Sequence, residues 1–268
     1  MKAVNVESSD ANITDTNLGT SWKFIDTGFQ TGKYNMDFDL ELVERCRKED
    51  TFFFRVYRWK PYAISFGYNQ QKLASKQKIN EEKCALDGID VVQRPTGGRA
   101  VLHSEELTYS VIMKSDKSVH SLYKDISYVL LNGLKNIEPD NPELKKLSFE
   151  KDNPDLRNLV KTGMYNLCFN TSIKYEINYN GRKLVGSAQR NFGDVVLQHG
   201  SILLGEHHKN IVNYLKLDDE RTIERLKHEI DKKTACLNEI LGREVTYKET
   251  ADALIKGFET TYGITLTK

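Results

Sequence analysis

Long apolar runs are absent from this 268-residue chain. None approaches the ~20 residues that cross a bilayer as a helix, so a membrane span is excluded and no membrane partner is expected. An excess of either charge is missing too: 39 Lys and Arg face 38 Asp and Glu, a formal net charge of +1. No global field therefore draws nucleic acid or an anionic lipid surface. The first residues, MKAVNVESSDANITDTNLGTSW, lack the apolar core of a secretory signal. Cysteines are few, namely Cys46, Cys84, Cys168 and Cys236, with no CxxC and no histidine at zinc-finger spacing. That argues against a disulfide scaffold or a metal site and for a reducing, cytoplasmic setting with free thiols. The five prolines are unclustered, and no repeat or low-complexity linker divides the chain.

What is present reads as alternating helix and strand patterns. Residues 1–20 are polar and read as a mobile tail. A helix is expected from about Tyr34, with Met36, Leu40 and Val43 at helical spacing and Asp37, Asp39 and Glu41 near its positive end. Thr51 to Trp59 and Tyr62 to Gly67 read as strands, and residues 75–86 as a charged helix. Asp90 to Arg94 and Leu107 to Met113 follow as strands, then a helix from Ser121, its N-cap, to about Lys135. Residues 136–161 read as a long surface loop. Ile173 to Tyr179 alternates, Asn180-Gly181 is the preferred pair of a two-residue type I′ turn, and Arg182 to Arg190 returns as the partner strand. Val195 to Leu204 adds a third strand. From about residue 208 the chain reads as helical, with the capping box Thr246 to Glu249 and a closing Gly263. Mixed or antiparallel sheets flanked by helices, with a small helical C-terminal segment, make an α+β fold.

Three places carry chemistry. In RPTGGRAVLH (Arg94 to His103), paired glycines let backbone N–H groups approach a carbonyl or phosphate, flanked by Arg94 and Arg99; the plain alternative is a glycine turn with two exposed arginines. In RKLVGSAQR (Arg182 to Arg190), strict alternation puts Lys183, Val185, Ser187 and Gln189 on one face. Leu184, Gly186 and Ala188 then share the core face with Tyr175 and Ile177. Lys183 would face solvent or a cleft, and Gly186 marks a close approach by backbone or ligand. Cys168 sits just before the hairpin, whereas Cys46, Cys84 and Cys236 read as core thiols.

These same motifs, RPTGGRAVLHSEELTYSV and GRKLVGSAQRN with LQHGSILL, resemble the superfamily of lipoate–protein ligases, octanoyltransferases and biotin–protein ligases. YNMDFDLEL and FGYNQ match as well, over residues 22–268. Within it, TGGRAVLH, CFNTSIKYEI and the C-terminal segment look most like the LipM-type octanoyl-(acyl carrier protein):protein N-octanoyltransferases. The resemblance implies one catalytic domain over 21–268, with residues 208–268 as its helical subdomain. It implies a Cys168 thioester, with Lys183, fifteen positions on, lowering the thiol pKa. Thr96, His103 and Arg94 would shape the mouth of an acyl tunnel beside Gly97 and Gly98, with Arg99, Gly186 and Ser187 also binding substrate. The implied donor is octanoyl-acyl carrier protein. The acceptor is a lipoyl-accepting protein, a glycine cleavage H protein or a 2-oxoacid dehydrogenase acyltransferase subunit, and no cofactor is implied. Two other readings compete: an ATP- and Mg-dependent lipoate or octanoate ligase in which Lys183 binds the acyl-adenylate, and a non-catalytic lipoyl-binding module. A basic docking face of Arg94, Arg99, Lys174, Lys183 and Arg190 is also expected.

Overall fold

The computed structural model describes residues 21–69, 79–149, 175–217 and 219–268. The first half contains β1 (Ser21–Gln30), α1 (Gly32–Glu49), β2 (Thr51–Trp59), β3 (Ala63–Phe66), α2 (Glu81–Leu86), β4 (Asp90–Gln93), β5 (Val101–His103) and β6 (Glu106–Lys114). Then come α3 (Val119–Lys135), α4 (Pro142–Lys145), β7 (Leu147–Phe149), β8 (Ile177–Tyr179), β9 (Arg182–Asn191) and β10 (Val195–Leu203). A 3-10 helix (His207–Tyr214), α5 (Glu220–Lys233), α6 (Leu237–Leu241) and α7 (Tyr247–Tyr262) complete the chain. The α+β reading holds.

The strands form a large sheet, in the order β1-β2-β6-β10-β9-β8-β7, and a small one, β4-β3-β5. In the large sheet β1 runs parallel to β2 and the other pairs are antiparallel. Period-two alternation then gives its faces different chemistry. One face carries Phe54, Val56, Tyr109 and Val111 and packs on α3 and α7, with Phe54 stacked on Phe258 at 4.1 Å. The other aligns Arg55 with Ser110 and His199, and Tyr57 with Thr108 and Ser201. These polar rungs are buried beneath α1 and the small sheet, and they frame the cleft.

Several local expectations need correction. The third helix starts at Val119 with Ser118, not Ser121, as its N-cap, because the Ser118 hydroxyl accepts from Ser121 N–H. Thr31 caps α1. Asp39 does not serve the helix end; it is fully buried against Arg55. The charged helix is described only over Glu81–Leu86, capped by Asn80, and residues 75–78 lie outside the described residues. The supposed 136–161 loop contains α4 and β7, which bury Leu144 and Leu147 in the core; residues 150–161 lie outside the described residues, as does the 1–20 tail. β1 escaped the sequence reading because a partly exposed edge strand has no clean alternation. The Asn180-Gly181 turn is as expected, with φ of 49° and 78°. Thr246 accepts from Glu249 N–H, and Gly263 ends α7 at φ 64°.

Candidate active site

A narrow cleft opens between the polar face of the large sheet and the small sheet. Met36, Tyr57, Trp59 and Val101 supply apolar wall, and Gly186 and Ala188 leave room where larger side chains would fill it. Polar groups on its border are held in fixed hydrogen bonds. Asp39 accepts from Arg55 at 2.7 Å and from Ser110 at 2.8 Å, and lies 3.3 Å from His199 Nδ1. Burial works to raise the Asp39 carboxyl, but the Arg55 charge and His199 outweigh it and hold the group below its ordinary range. His199 is pushed down by burial against the pull of Asp39. Its Nε2 lies 2.6 Å from the hydroxyl of Thr96, tying β10 to the glycine turn.

Around this turn the structure separates expected roles. Arg94, His103, Gly186 and Ser187 border the cleft. Arg94 is buried, and its guanidinium donates to the carbonyls of Gly97, Arg99 and Ser65 and to the Ser65 hydroxyl. It shapes the turn from inside rather than reaching out from a mouth. Thr96 is fully buried beneath His199, and His103 is a wall residue stacked on Trp59 at 4.0 Å. Gly97, Gly98 and Arg99 form the outer turn. Its glycine requirement is partly a crossing requirement: a Cβ on Gly67 would meet the Gly98 carbonyl oxygen at 2.0 Å. Ser187 gives its hydroxyl to a 2.7 Å bond with Tyr109, away from the cleft.

Lys183 is where the strand geometry departs most from simple alternation. Tyr179 pairs with Arg182 and Asn178 with Lys183, as expected, but Ile177 pairs with Val185. One extra residue, Leu184, therefore sits in β9, a bulge that reverses the facing of everything before it. Lys183 consequently lies opposite to Val185, on the side of the sheet that carries Gly186 and Ala188. It does not share a face with Ser187 and Gln189, and it is not solvated. Its ammonium pairs with Glu176 at 2.8 Å, with the two side chains 1% and 2% exposed. The basic docking face shrinks accordingly, since Arg94 and Lys183 are buried. Arg190 donates to the Pro95 carbonyl and lies over Tyr68. Lys174 lies outside the described residues, and so does Cys168.

Among the described residues the remaining thiols are poor nucleophiles. Burial pushes Cys46 and Cys84 up to about 11, and Cys236 upward as well. The sequence reading missed Arg55, Ser65, Glu106, His199 and Ser201 as cleft-network residues. For His199 and Ser201 a signal was available: they sit two apart in QHGSI, as Thr108 and Ser110 do in LTYSV, polar residues at every second position of largely apolar strands.

The cleft between a large mixed sheet and a small one is the feature to set beside known proteins. The description "Lipoyl protein ligase A/B catalytic domain" matches residues 31–259, and the chain belongs to that family. Similar curated relatives are octanoyltransferases LipM. That of Geobacillus kaustophilus is 36% identical over 251 residues, covering 91% of this chain and 87% of the relative. That of Bacillus subtilis is 35% identical over 256 residues, covering 92% and 88%. Among solved structures, a bi-partite lipoate protein ligase from Thermoplasma acidophilum has the same fold, with a TM-score of 0.69 at 19% identity over 93% of this chain and 86% of that one. A lipoate-protein ligase A bound with ATP gives 0.65 at 20% identity over 93% and 87%.

Proposed function

We propose that the protein is an acyltransferase that moves an octanoyl group onto a lysine of a lipoyl-accepting protein. The observation that carries this reading is the likeness to LipM octanoyltransferases, 36% identical over 91% of the chain. The apolar-walled cleft suits a short acyl chain. Octanoyl-acyl carrier protein is the donor in this reading. The Cys168 thiolate attacks its thioester carbonyl, the carbon–sulfur bond to the carrier breaks, the carrier departs as its thiolate, and an octanoyl-Cys168 thioester remains. The acceptor amine then attacks that carbonyl, Cys168 is expelled as thiol, and an amide is left. Lys183 supplies the positive charge that stabilises the thiolate, and Glu176 fixes the ammonium. Because the donor is already activated, ATP is not required.

The test is one assay with octanoyl-acyl carrier protein and an apo lipoyl domain, run without ATP and again with ATP plus free octanoate. Transfer without ATP is expected; transfer only with ATP and free acid would replace this reading with the ligase. Inertness in both arms would leave a binding module. Mass spectrometry should find about 126 Da added to Cys168 before acceptor is supplied, the covalent intermediate of nucleophilic catalysis. Cys168→Ala should abolish transfer.

A further inference from the structure

Within the same cleft a hydroxyl, an imidazole and a carboxylate stand in line. Ser65 Oγ lies 2.7 Å from His103 Nε2, and His103 Nδ1 lies 2.8 Å from Glu106 Oε1. They come from three strands: Ser65 from β3, His103 from its sheet neighbour β5, and Glu106 from the start of β6. Burial works to raise the Glu106 carboxyl, but His103 and the hydroxyls of Thr108 and Ser201 outweigh it and keep it low, hence ionised. An ionised carboxylate only accepts, so Nδ1 carries its proton toward Glu106; in the neutral imidazole Nε2 is then the acceptor for the Ser65 hydroxyl. Trp59, stacked on the ring at 4.0 Å and 10°, fixes its plane. Arg94 Nη1 donates to Ser65 Oγ at 3.0 Å, placing a fixed cation where alkoxide charge would develop. Ser65, Arg94 and His103 all border the cleft.

A network serving only to join the sheets has no need of this order or of a border on the cleft. Base within reach of hydroxyl, and base oriented by acid, are the geometric signs of an activated nucleophile. We infer that Ser65, His103 and Glu106 form a second acyl-handling centre, a serine hydrolase activity toward medium-chain acyl esters and thioesters. Ser65 Oγ bonds to the acyl carbonyl carbon while His103 Nε2 takes its proton. The carbon–sulfur or carbon–oxygen bond to the leaving group breaks, and that group departs with the proton. Water then attacks the Ser65 ester, giving its proton to His103; the ester bond breaks, Ser65 regains its proton, and the fatty acid is released. The inference shares with the proposed function only the premise that the cleft takes an acyl chain, and it does not depend on Cys168.

The experiment uses the full-length Cys168→Ala protein, which removes the thiol, with p-nitrophenyl octanoate and octanoyl-coenzyme A as probes. Saturable hydrolysis is expected, falling about 100-fold or more when Ser65→Ala is added, the scale on which losing a base-activated group acts. Cys168→Ala should also take a fluorophosphonate label at Ser65, and a trapped octanoyl adduct there should survive neutral hydroxylamine, as an oxygen ester does and a thioester does not. Equal hydrolysis with and without Ser65, or a Ser65 that takes no label, would overturn the inference. Should Ser65→Ala fail to fold, the label on the Cys168→Ala protein decides alone. Failure here leaves octanoyl transfer by the wild type untouched, and loss of that transfer is read separately from the Cys168→Ala comparison.

Discussion

Lys183 and Glu176 form a buried pair on which the fold depends and, in the proposed mechanism, the reaction too. Both are withdrawn from water and lie 2.8 Å apart, so removing one charge leaves the other in a medium that penalises it. Alternation along β9 places Lys183 toward solvent or a cleft, where truncation would leave the fold intact; its burial against Glu176 reverses that expectation of a harmless change. Lys183→Ala should destabilise the protein by about 3–5 kcal/mol, the range for breaking a buried pair from one side. Lys183→Met combined with Glu176→Gln should recover most of that loss while remaining inactive. Denaturant midpoints of the single and double variants check this, and a single variant as stable as wild type would show the pair to be dispensable. Because stability and chemistry are mixed at this position, thiol titration of Cys168 belongs in the stabilised double variant.

At the level of elements, close backbone approaches decide more than any side chain. In β10, a Cβ on Gly200 would come 2.4 Å from the Gly186 carbonyl and 2.9 Å from Ser187 Cα. Backbone cannot rotate aside, so Gly200→Ala should exceed the ~1–3 kcal/mol typical of overpacking and disturb the cleft floor. The α3–α7 crossing depends on the same device: a Cβ on Gly257 would meet Gly133 Cα at 2.4 Å. Gly257→Ala should push α7 off α3 and lower the melting temperature while leaving the cleft's hydrogen bonds in place. Gly181→Ala faces open space but sits at φ 78°, so it should cost about 1 kcal/mol by strain alone. Thermal melts of the three variants should follow that order, with Gly181→Ala the mildest.

Across the whole molecule, the lowered buried histidines and carboxylates all make stability fall toward acid pH. His208, held beside the Gly205 carbonyl and the Thr234 hydroxyl, is pushed down by burial to about 4. Its folded-state value lies below that of the free side chain, so the unfolded chain takes up the proton first. The stability this group contributes is present above pH ~6.5 and is lost as pH falls towards the folded value, about 3 kcal/mol in all. His199, also lowered, acts in the same sense. Asp39 and Glu106, held low, hold their contribution above the ordinary carboxylate range and lose it only at more acid pH. Urea midpoints should therefore fall between pH 6.5 and 4.5, before the contributions of Asp39 and Glu106 are lost. His208→Gln should flatten that stretch; an unchanged slope would assign the loss elsewhere.

What the sequence determined on its own was whatever depends on near neighbours. The Asn180-Gly181 turn, the paired register of Asn178 with Lys183, the strands of LTYSVIM and VVLQHGSIL, the cap at Thr246 and the three core cysteines follow from period and local chemistry. So did the motifs through which the family was legible before any fold was in hand. Only tertiary structure decided which faces are wet. A single inserted residue at Leu184 turns Lys183 over, and alternation cannot reveal a bulge even within a hairpin whose turn is legible, because the extra residue shows only in the pairing. Asp39 reads as a helix-end charge until Arg55, sixteen residues away, closes on it across α1 and β2. Arg94 reads as a ligand grip until the carbonyls of its own turn surround it. Ser65, His103 and Glu106 become a line only when β3 and β5 pair, because a hydrogen-bonded constellation is a property of distances that the chain acquires on folding.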